Sequence, residues 1–457
     1  MTNKLLFFSL ILFSTLSFSQ EQKSFTLEEA VEFALDSNYT SINARREIAK
    51  AIKQKWETTA QGLPQIDGSI GYNNNLKQPV TLIPGEFAGG EPGSYMPLTF
   101  GTKQNANAVA TLNQLIFDGS YLVGLKAAKT FLEYSENTNE KTRLEVRKGV
   151  INAYGSVLLA QELVDIFEKN KTNLEKNLNE ARKIFENGME EEESVEQLEI
   201  TLLDIENQLN NSKRSLTIAK QMFNLALGLA VESPTILTDD LNTLAEENID
   251  LSILDASLNL DQNVDFKIAD NLIQQRTFEM QLEQTKALPR LSAFINYGTS
   301  ANSQDFTFFN GDQKWYQSSV LGINLSIPIF SSGLRSASTQ RARIALEQAK
   351  TDYEQTEQQI KLDLTTARSN YQFAIDNYEN SKRNLELAER IESKNQTKFT
   401  EGISSSFDLR QAQTQLYTAQ QQYFQSMLNV INEKANLETV LNIPKLRVSA
   451  DEVKNTN

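Results

Sequence analysis

Cysteine and histidine are both missing from the 457 residues of this chain. Without a thiol there is no cysteine nucleophile, disulfide or thiolate metal site, and without an imidazole there is no Ser-His pair and no His-ligated zinc. The common hydrolase and metalloenzyme chemistries are thereby disfavoured, and only carboxylate or lysine chemistry stays open. Basic residues are short as well. The 44 Lys plus Arg against 59 Asp plus Glu leave a formal charge of -15, which argues against nucleic acid as a partner, since that needs a basic footprint. Proline is scarce, at nine residues, and after the first twenty residues no apolar run approaches the roughly 20 that a helical membrane span needs. Length alone suggests about three domains of about 150 residues. The internal repetition described below replaces that count.

Residues 1–20 read MTNKLLFFSLILFSTLSFSQ, with Lys4 ahead of an apolar run and small residues at Ser17 and Ser19. This is a secretory signal pattern, assigned to 1–19, and it implies that the mature chain is exported. No Cys follows the signal, which argues against a lipid anchor.

The nine prolines, at 64, 79, 84, 92, 97, 234, 289, 328 and 444, all fall outside 120–233 and 333–443. An internal proline costs a helix about 3 kcal/mol, so these two proline-free stretches are free to be helical, and their apolar spacing predicts that they are. From Val146 the apolar or small positions step by four and three through 150, 153, 157, 160, 164 and 167 to Phe185, with Lys171 the one polar member. A similar series runs from Leu198 to Ala226, another from Leu364 to Ala388, and a third from Leu409 to Val430. A sustained seven-residue period predicts left-handed supercoiling, and small residues along it suit closely opposed helices. Each stretch is interrupted once, at Phe185-Glu186-Asn187-Gly188 and at Phe399-Thr400-Glu401-Gly402. Both read F-x-x-G, the glycine signal of a helix C-terminus, so Gly188 and Gly402 are expected at the tips of helical hairpins.

The chain also repeats itself. Leu35-Asp36-Ser37-Asn38 against Leu260-Asp261-Gln262-Asn263, and Leu63-Pro64 against Leu288-Pro289, share an offset of 225. Beyond them Ile116-Phe117 against Ile329-Phe330 gives 213, and Gly188 against Gly402 gives 214. The first copy therefore carries an insertion of about twelve residues between 64 and 117, expected in a surface loop. The expected organisation is a first repeat at 20–233 (helix, β-hairpin 65–117, long helical hairpin 120–229) and a linker at 234–258. A second repeat at 259–443 (helix, β-hairpin 289–330, long helical hairpin 334–443) and a tail at 444–457 complete it.

Within each hairpin the period changes to two. Ile66, Gly68, Ile70 and Tyr72 alternate with polar or small residues, and so do Leu291 to Tyr297, Leu321 to Ile327 and, more weakly, Ala106 to Leu112. These predict four strands of about ten residues. Alternation alone fits a soluble sandwich as well as a membrane barrel. Export without an anchor, strand length suited to a tilted span, and aromatics near strand ends (Tyr72, Phe100, Tyr297, Trp315, Tyr316) favour the barrel. Four strands cannot close one, because membrane barrels need at least eight, so several chains must share it.

The ordered set of a signal peptide, TLEEAVEFAL (26–35), GLPQI (62–66), LIFDG (115–119) and two F-x-x-G tips, on a doubled layout, resembles the TolC-type outer-membrane efflux channel family. The resemblance implies a mainly α fold with a β-barrel portion. Long coiled-coil helical hairpins would form a periplasmic α-barrel, and four strands per chain would join a shared outer-membrane β-barrel in a homotrimer. It implies no enzyme and no cofactor, but a passive duct in the outer membrane with its helical part in the periplasm. Its partners would be an inner-membrane pump, a periplasmic adaptor (membrane fusion) protein and outer-membrane lipid. Members of the family close the periplasmic end with polar contacts, and many carry two acids six and nine residues after the second tip glycine. Here those positions hold Asp408 and Gln411, with Ser194 at a place in the first repeat where an acid is also found. Phe399 and Ser404 depart from the family's Tyr and Arg, so a different closing network is expected.

The first tip instead carries Glu190, Glu191, Glu192 and Glu193, then Glu196 and Glu199. An acidic first turn that complements a helix dipole is one reading. The other is a cation-attracting ring at the aperture, made with Asp408, as acidic rings work in other pores. Two further functions stand beside the duct. A periplasmic coiled-coil adaptor or scaffold shares the seven-residue period but has no use for four amphipathic strands, and a carboxylate-pair enzyme needs its acids in a cleft rather than on helices and tips.

Overall fold

The computed structural model describes residues 23–189 and 191–443. The signal segment 1–19, Glu190 and the tail 444–457 lie outside the described residues.

Local chemistry sets the element order. A short strand β1 (Lys23–Phe25) leads to α1 (Leu27–Ser37), where Thr26 and Glu29 exchange side-chain and backbone hydrogen bonds as a capping box. The single helix expected before the first strand is in fact two, because the chain turns extended at Asn38 before α2 (Tyr39–Ala60). Strands β2 (Gln65–Asn74), β3 (Val80–Pro84), β4 (Tyr95–Thr99) and β5 (Gln104–Phe117) follow. Then come α3 (Gly119–Glu186) of 68 residues and α4 (Glu192–Leu227) of 36. The stretch expected as a linker holds β6 (Thr235–Leu237) and α5 (Leu241–Glu247). After it α6 (Val264–Thr285), β7 (Arg290–Ser303) and β8 (Tyr316–Ser326) precede α7 (Leu334–Thr400) of 67 residues and α8 (Ser406–Val440) of 35.

Two compact units are separable, and their boundaries fall within helices. One gathers the chain up to Ala49, Tyr134–Asp270 and everything from Asp352 on. Its main core unites Val150, Tyr154 and Val157 of α3, Phe223 and Leu227 of α4, Tyr371 and Ala374 of α7, and Val430 and Ile431 of α8. The segment between the repeats is built into it through Leu237, Leu241, Leu244 and Ile253, with β6 pairing in parallel with β1. A second cluster follows the seven-residue series through Phe167, Leu174 and Leu178 to Leu198, Ile205, Leu209, Leu409 and Tyr417. One 18-residue window of α3 is long and apolar enough to cross a membrane by composition alone. Of that window 44% is buried inside the protein, and one such helix by itself is weak evidence of a span.

In this unit two asparagines do the same work in the two halves of the chain. Asn38 caps α2 by accepting from the Thr40 N–H (2.7 Å) while its amide donates to the Ala226 carbonyl near the end of α4 (2.7 Å). Asn263 caps α6 by accepting from Asp265 and Phe266 (3.0 and 3.2 Å) while its amide donates to the Val440 carbonyl at the end of α8 (3.2 Å). Each joint ties the start of one helix to the end of another through a single side chain that both donates and accepts.

The second unit comprises Lys50–Glu133 and Asn271–Thr351 and contains an antiparallel sheet in the order β2-β5-β7-β8. Register runs Ile66 to Leu112 to Ile295 to Leu321, so one face carries Ile66, Ile70, Leu112, Leu291, Ile295, Leu321, Ile323 and Leu325. The other carries Asp67, Ser69, Asn73, Asn105, Asn107, Asn113, Ser292, Asn296 and Asn324. The only charged residues in the four strands, Asp67 and Arg290, lie on this polar face, and Arg290 pairs with Asp118 at 3.4 Å. The insertion between β2 and β5, expected as loop, forms its own β3-β4 hairpin. Pro84 and Pro97 conceal it in the sequence, yet neither disrupts it, because a two-stranded ribbon leaves outward edges that need no amide.

Gly228 ends α4 with φ +78°, and a side chain there would run into the Ser37 carbonyl at the α1-α2 joint. Gly228→Ala is therefore expected to combine a backbone penalty of about 1 kcal/mol with steric displacement of that joint. Thermal unfolding followed by circular dichroism should show a lower midpoint, whereas Gly149→Ala, which lies within α3 and meets open space, should raise it slightly by removing a helix-interior glycine.

Candidate functional site

The two interhelical turns are built alike. Gly188 and Gly402 adopt φ of +72° and +73°, a left-handed conformation that glycine reaches without a Cβ penalty. The Gly188 N–H donates to Phe185 O (2.7 Å) and Met189 N–H to Ile184 O (3.1 Å); the Gly402 N–H donates to Phe399 O (3.0 Å) and Ile403 N–H to Lys398 O (2.8 Å). The paired 5→2 and 6→1 bonds are those of a Schellman motif, which satisfies the last carbonyls of α3 and α7.

Beyond the turns the first residues of α4 and α8 differ. Ser405 caps α8, and Asp408 closes a capping box: its carboxylate accepts from the Ser405 hydroxyl (2.8 Å), the Ser405 N–H (3.4 Å) and the Ser404 hydroxyl (3.2 Å). The Ser405 hydroxyl foremost, then its N–H and Ser404, hold the exposed Asp408 carboxyl below its usual range. Asp408 is thus an ionised cap whose acceptors are largely engaged by its own turn. Gln411 is exposed one turn along the same helix. On the other side Glu191 is the N-cap residue of α4 but makes no side-chain cap, Ser194 is half-buried, and Glu192 and Glu193 occupy the exposed first turn. Glu193 accepts from Gln197 (2.9 Å), and Glu199 is ion-paired with Arg182 across the turn. Among the described residues, no hydrogen bond or ion pair joins Asp408 or Gln411 to Ser194 or to the first-turn glutamates. Glu190 lies outside them.

What ties the two helical hairpins together lies farther from the turns. Asn177 and Gln396 exchange two amide hydrogen bonds (2.9 and 3.0 Å), linking α3 to α7. Asn170 donates to Gln420 in a buried contact at 2.9 Å, linking α3 to α8, and Gln421 donates to Gln208 at 3.0 Å, linking α8 to α4. Within the first hairpin the ties are ionic: Lys171 to Glu206 at 2.8 Å and Lys213 to Glu168 at 2.7 Å, beside Arg182 to Glu199. The one polar member of the α3 series, Lys171, is held protonated chiefly by its hydrogen bond to Glu206.

Sequence reasoning passed over the amides, although a signal was present. Asn170 and Asn177 are seven residues apart beside apolar seam positions, and so are Gln413 and Gln420. Gln413 is 1% exposed, and its side-chain oxygen is buried with no hydrogen-bond partner. Burial drives the Glu392 carboxyl of α7 above the usual glutamate range, an effect that the Gln413 amide opposes. Burial, with Glu392 nearby, likewise raises the Tyr417 hydroxyl.

A cleft of about 1380 Å³ lies among α1, α3 and the segment before α5. Its acids serve the fold: Asp239 accepts from the Leu27 N–H (2.7 Å) and the Tyr154 hydroxyl (3.0 Å), Asp240 caps α5, and Arg147 in its wall pairs with Glu438 at 2.7 Å. Among the described residues no three of the Asp and Glu side chains are grouped to hold a metal ion.

The model of the outer membrane efflux protein family matches residues 34–229 and 256–442. The probable efflux pump outer membrane protein TtgC of Pseudomonas putida is 23% identical over 323 residues, a match covering 69% of this chain and 64% of that relative's length. The alkaline protease secretion protein AprF of Pseudomonas aeruginosa is 22% identical over 347 residues, covering 72% of this chain and 67% of AprF. The crystal structure of the Campylobacter jejuni CmeC outer membrane channel superposes with a TM-score of 0.72 at 18% identity, over 94% of this chain and 88% of CmeC.

Because the Glu392 pKa is raised on folding, the folded α7-α8 seam binds this proton more tightly than the unfolded chain. Stability is then highest below the ordinary value of 4.5, declines as pH rises through the raised value, and carries the full penalty above it. Glu392→Gln should slow hydrogen exchange of the flanking segments of α7 and α8 at pH 7, with the difference from the parent vanishing on acidification.

Proposed function

Since the chain belongs to the outer membrane efflux protein family, we propose that it is the exit duct of a tripartite efflux or export system, conducting solutes passively from an inner-membrane pump and a periplasmic adaptor to the exterior. The observation that carries this reading is the four-stranded sheet, with one face apolar, the other lined with Asn and Ser, and both β2 and β8 unpaired at their outer edges within one chain. In hydrocarbon each unsatisfied backbone group costs several kcal/mol, so only a closed barrel tolerates such edges. Three copies supply twelve strands and close it, which is the homotrimer we infer. The apolar face then meets outer-membrane lipid and the amide-rich face lines the lumen. The long helices, in two repeats at 20–233 and 259–443 joined through 234–258, form the periplasmic part.

At the periplasmic end we assign the closing contacts to the half-buried amide pair Asn177-Gln396 and the buried pair Asn170-Gln420. They are uncharged, so parting them exposes no unpaired ion, and each contributes about 1 kcal/mol. Around the aperture Asp408, Gln411, Ser194 and Glu190 to Glu193 provide the acidic surround, with Gly188 and Gly402 shaping the tips. The likeness to the efflux pump protein TtgC supports effluxed solutes as cargo, and that to the protease secretion protein AprF supports an exported protein, as two uses of one duct.

Fractionation of cells should place the chain in the outer membrane, and unheated gels should show a trimer that heating converts to a 51.5 kDa band before signal removal is counted. A soluble monomer indifferent to heating would instead support the adaptor or scaffold reading. In planar bilayers, Asp408→Asn combined with Gln at Glu190 to Glu193 is expected to lower cation selectivity and relieve block by divalent cations. Unchanged reversal potentials would leave those acids as helix-end charges only.

A further inference from the structure

The connection between β7 and β8 does not extend away from the sheet as a hydrophilic loop. It folds back over the apolar face. At the row where Tyr72 of β2 stands opposite Ala106 of β5 and Ala106 opposite Ala301 of β7, the small alanines leave room that Phe308 fills, and Ala106, Ala301 and Phe308 form a buried cluster of their own. Around Phe308 the rings continue. Tyr72 meets Phe306 and Phe308 edge-on at 5.5 and 5.8 Å, Phe306 meets Phe309 at 5.9 Å, and Phe308 meets Trp315 at 6.4 Å, just before β8 begins. The aromatics thus cross the width of the sheet from β2 to β8. Only Phe308 is buried; Phe306, Trp315 and above all Phe309, at 90% exposure, point outward.

The spacing of this belt identifies what covers it. Phe117 and Leu291 stand opposite one another at the end of the sheet that leads into α3, where the exposed Ile329 and Phe330 follow β8. From Leu291 to Ala301 the strand advances ten residues. That is about 33 Å along the chain at about 3.3 Å per residue, or about 25 Å of height at a tilt of about 40°. An apolar band of about 25 Å bounded by aromatics at both ends is the dimension of an outer-membrane hydrocarbon layer. No charged side chain lies on that face of the four strands, and at its outer margin the Tyr72 hydroxyl turns to Gln104 at 3.1 Å, apolar ring inward and polar tip outward.

We propose that the β7-β8 connection is a membrane-interface anchor, seating Phe306, Phe309 and Trp315 in the outer-leaflet boundary of the lipid rather than standing free in the external medium. The anchor rests on the barrel reading above and sets the depth at which the barrel sits. It also accounts for the four aromatics, Phe306, Phe308, Phe309 and Trp315, that the connection carries among polar residues which include Asp305, Asp312 and Lys314.

The chain has two tryptophans, so Trp56→Phe leaves Trp315 as the sole reporter in the full-length protein. Reconstituted in phosphatidylcholine vesicles, its emission should be quenched at least about twofold more by lipid brominated near the headgroup than by lipid brominated near the chain terminus, with little quenching by aqueous acrylamide. A second protein carrying Trp56→Phe, Trp315→Phe and Ile323→Trp reports the middle of the apolar face and should prefer the deep bromines. If the tryptophan at 323 is quenched by lipid while Trp315 is quenched by acrylamide, the anchor is wrong and the barrel stands. Trp315 shielded from lipid and acrylamide alike means that another copy of the chain covers the belt, which also overturns the anchor. If neither tryptophan responds to brominated lipid, the barrel reading itself fails.

Discussion

Unpaired backbone at the two edges of a four-stranded sheet is the constraint on which the rest of this protein depends. In water, strands β2 and β8 could satisfy their outer amides and carbonyls with solvent, but a sheet with one wholly uncharged apolar face belongs in lipid, where solvent is absent. On the barrel reading proposed above, the chain closes its sheet only with further copies, and its other properties follow from that. Polar residues gather on the face opposite the apolar one, the one strand-borne carboxylate, Asp67, lies on that polar face, and both connections beyond the far end carry exposed aromatic side chains. Phe87 in the β3-β4 hairpin and Phe309 in the β7-β8 connection stand almost fully exposed in one chain.

In the helical unit the governing interactions are single side chains that serve two backbone ends. Asn38 and Asn263 each cap one helix and hold the end of another, so each half of the chain locks where four helix termini would otherwise leave unsatisfied groups. The two joints are 225 residues apart and the carbonyls they reach are 214 apart, the difference being the insertion that makes the β3-β4 hairpin. An insertion placed there leaves both joints and both helical hairpins undisturbed.

Toward the tips, ion pairs hold α3 to α4 inside one hairpin and amides hold that hairpin to the other, while farther along the helices the Arg147–Glu438 ion pair also joins the two hairpins. The ion pairs within the first hairpin are open to water and each contributes little, and an uncharged amide pair leaves no stranded ion when its partners separate. Asp408, singled out by its distance from the tip glycine, serves first as the ionised cap of α8, a role that the preceding Ser405 makes readable in the sequence.

Periodicity and proline placement by themselves determined most of the elements. The alternations at 66–72, 106–112, 291–297 and 321–327 lie within β2, β5, β7 and β8, apart from the final residue of the last, and the proline-free stretches hold α3, α4, α7 and α8. These are local properties, set by side-chain spacing along one segment. The β3-β4 hairpin escaped because its strands are five residues long and each contains a proline, so neither length nor composition announced pairing. Which residues meet across elements was decided only by tertiary structure. Asn177 finds Gln396 and Phe308 finds Ala301 because helix packing and strand register bring together side chains whose separation in sequence carries no periodic signal. A polar residue beside a seam can face solvent or a buried partner, and the neighbouring helix, through the desolvation it imposes, determines which.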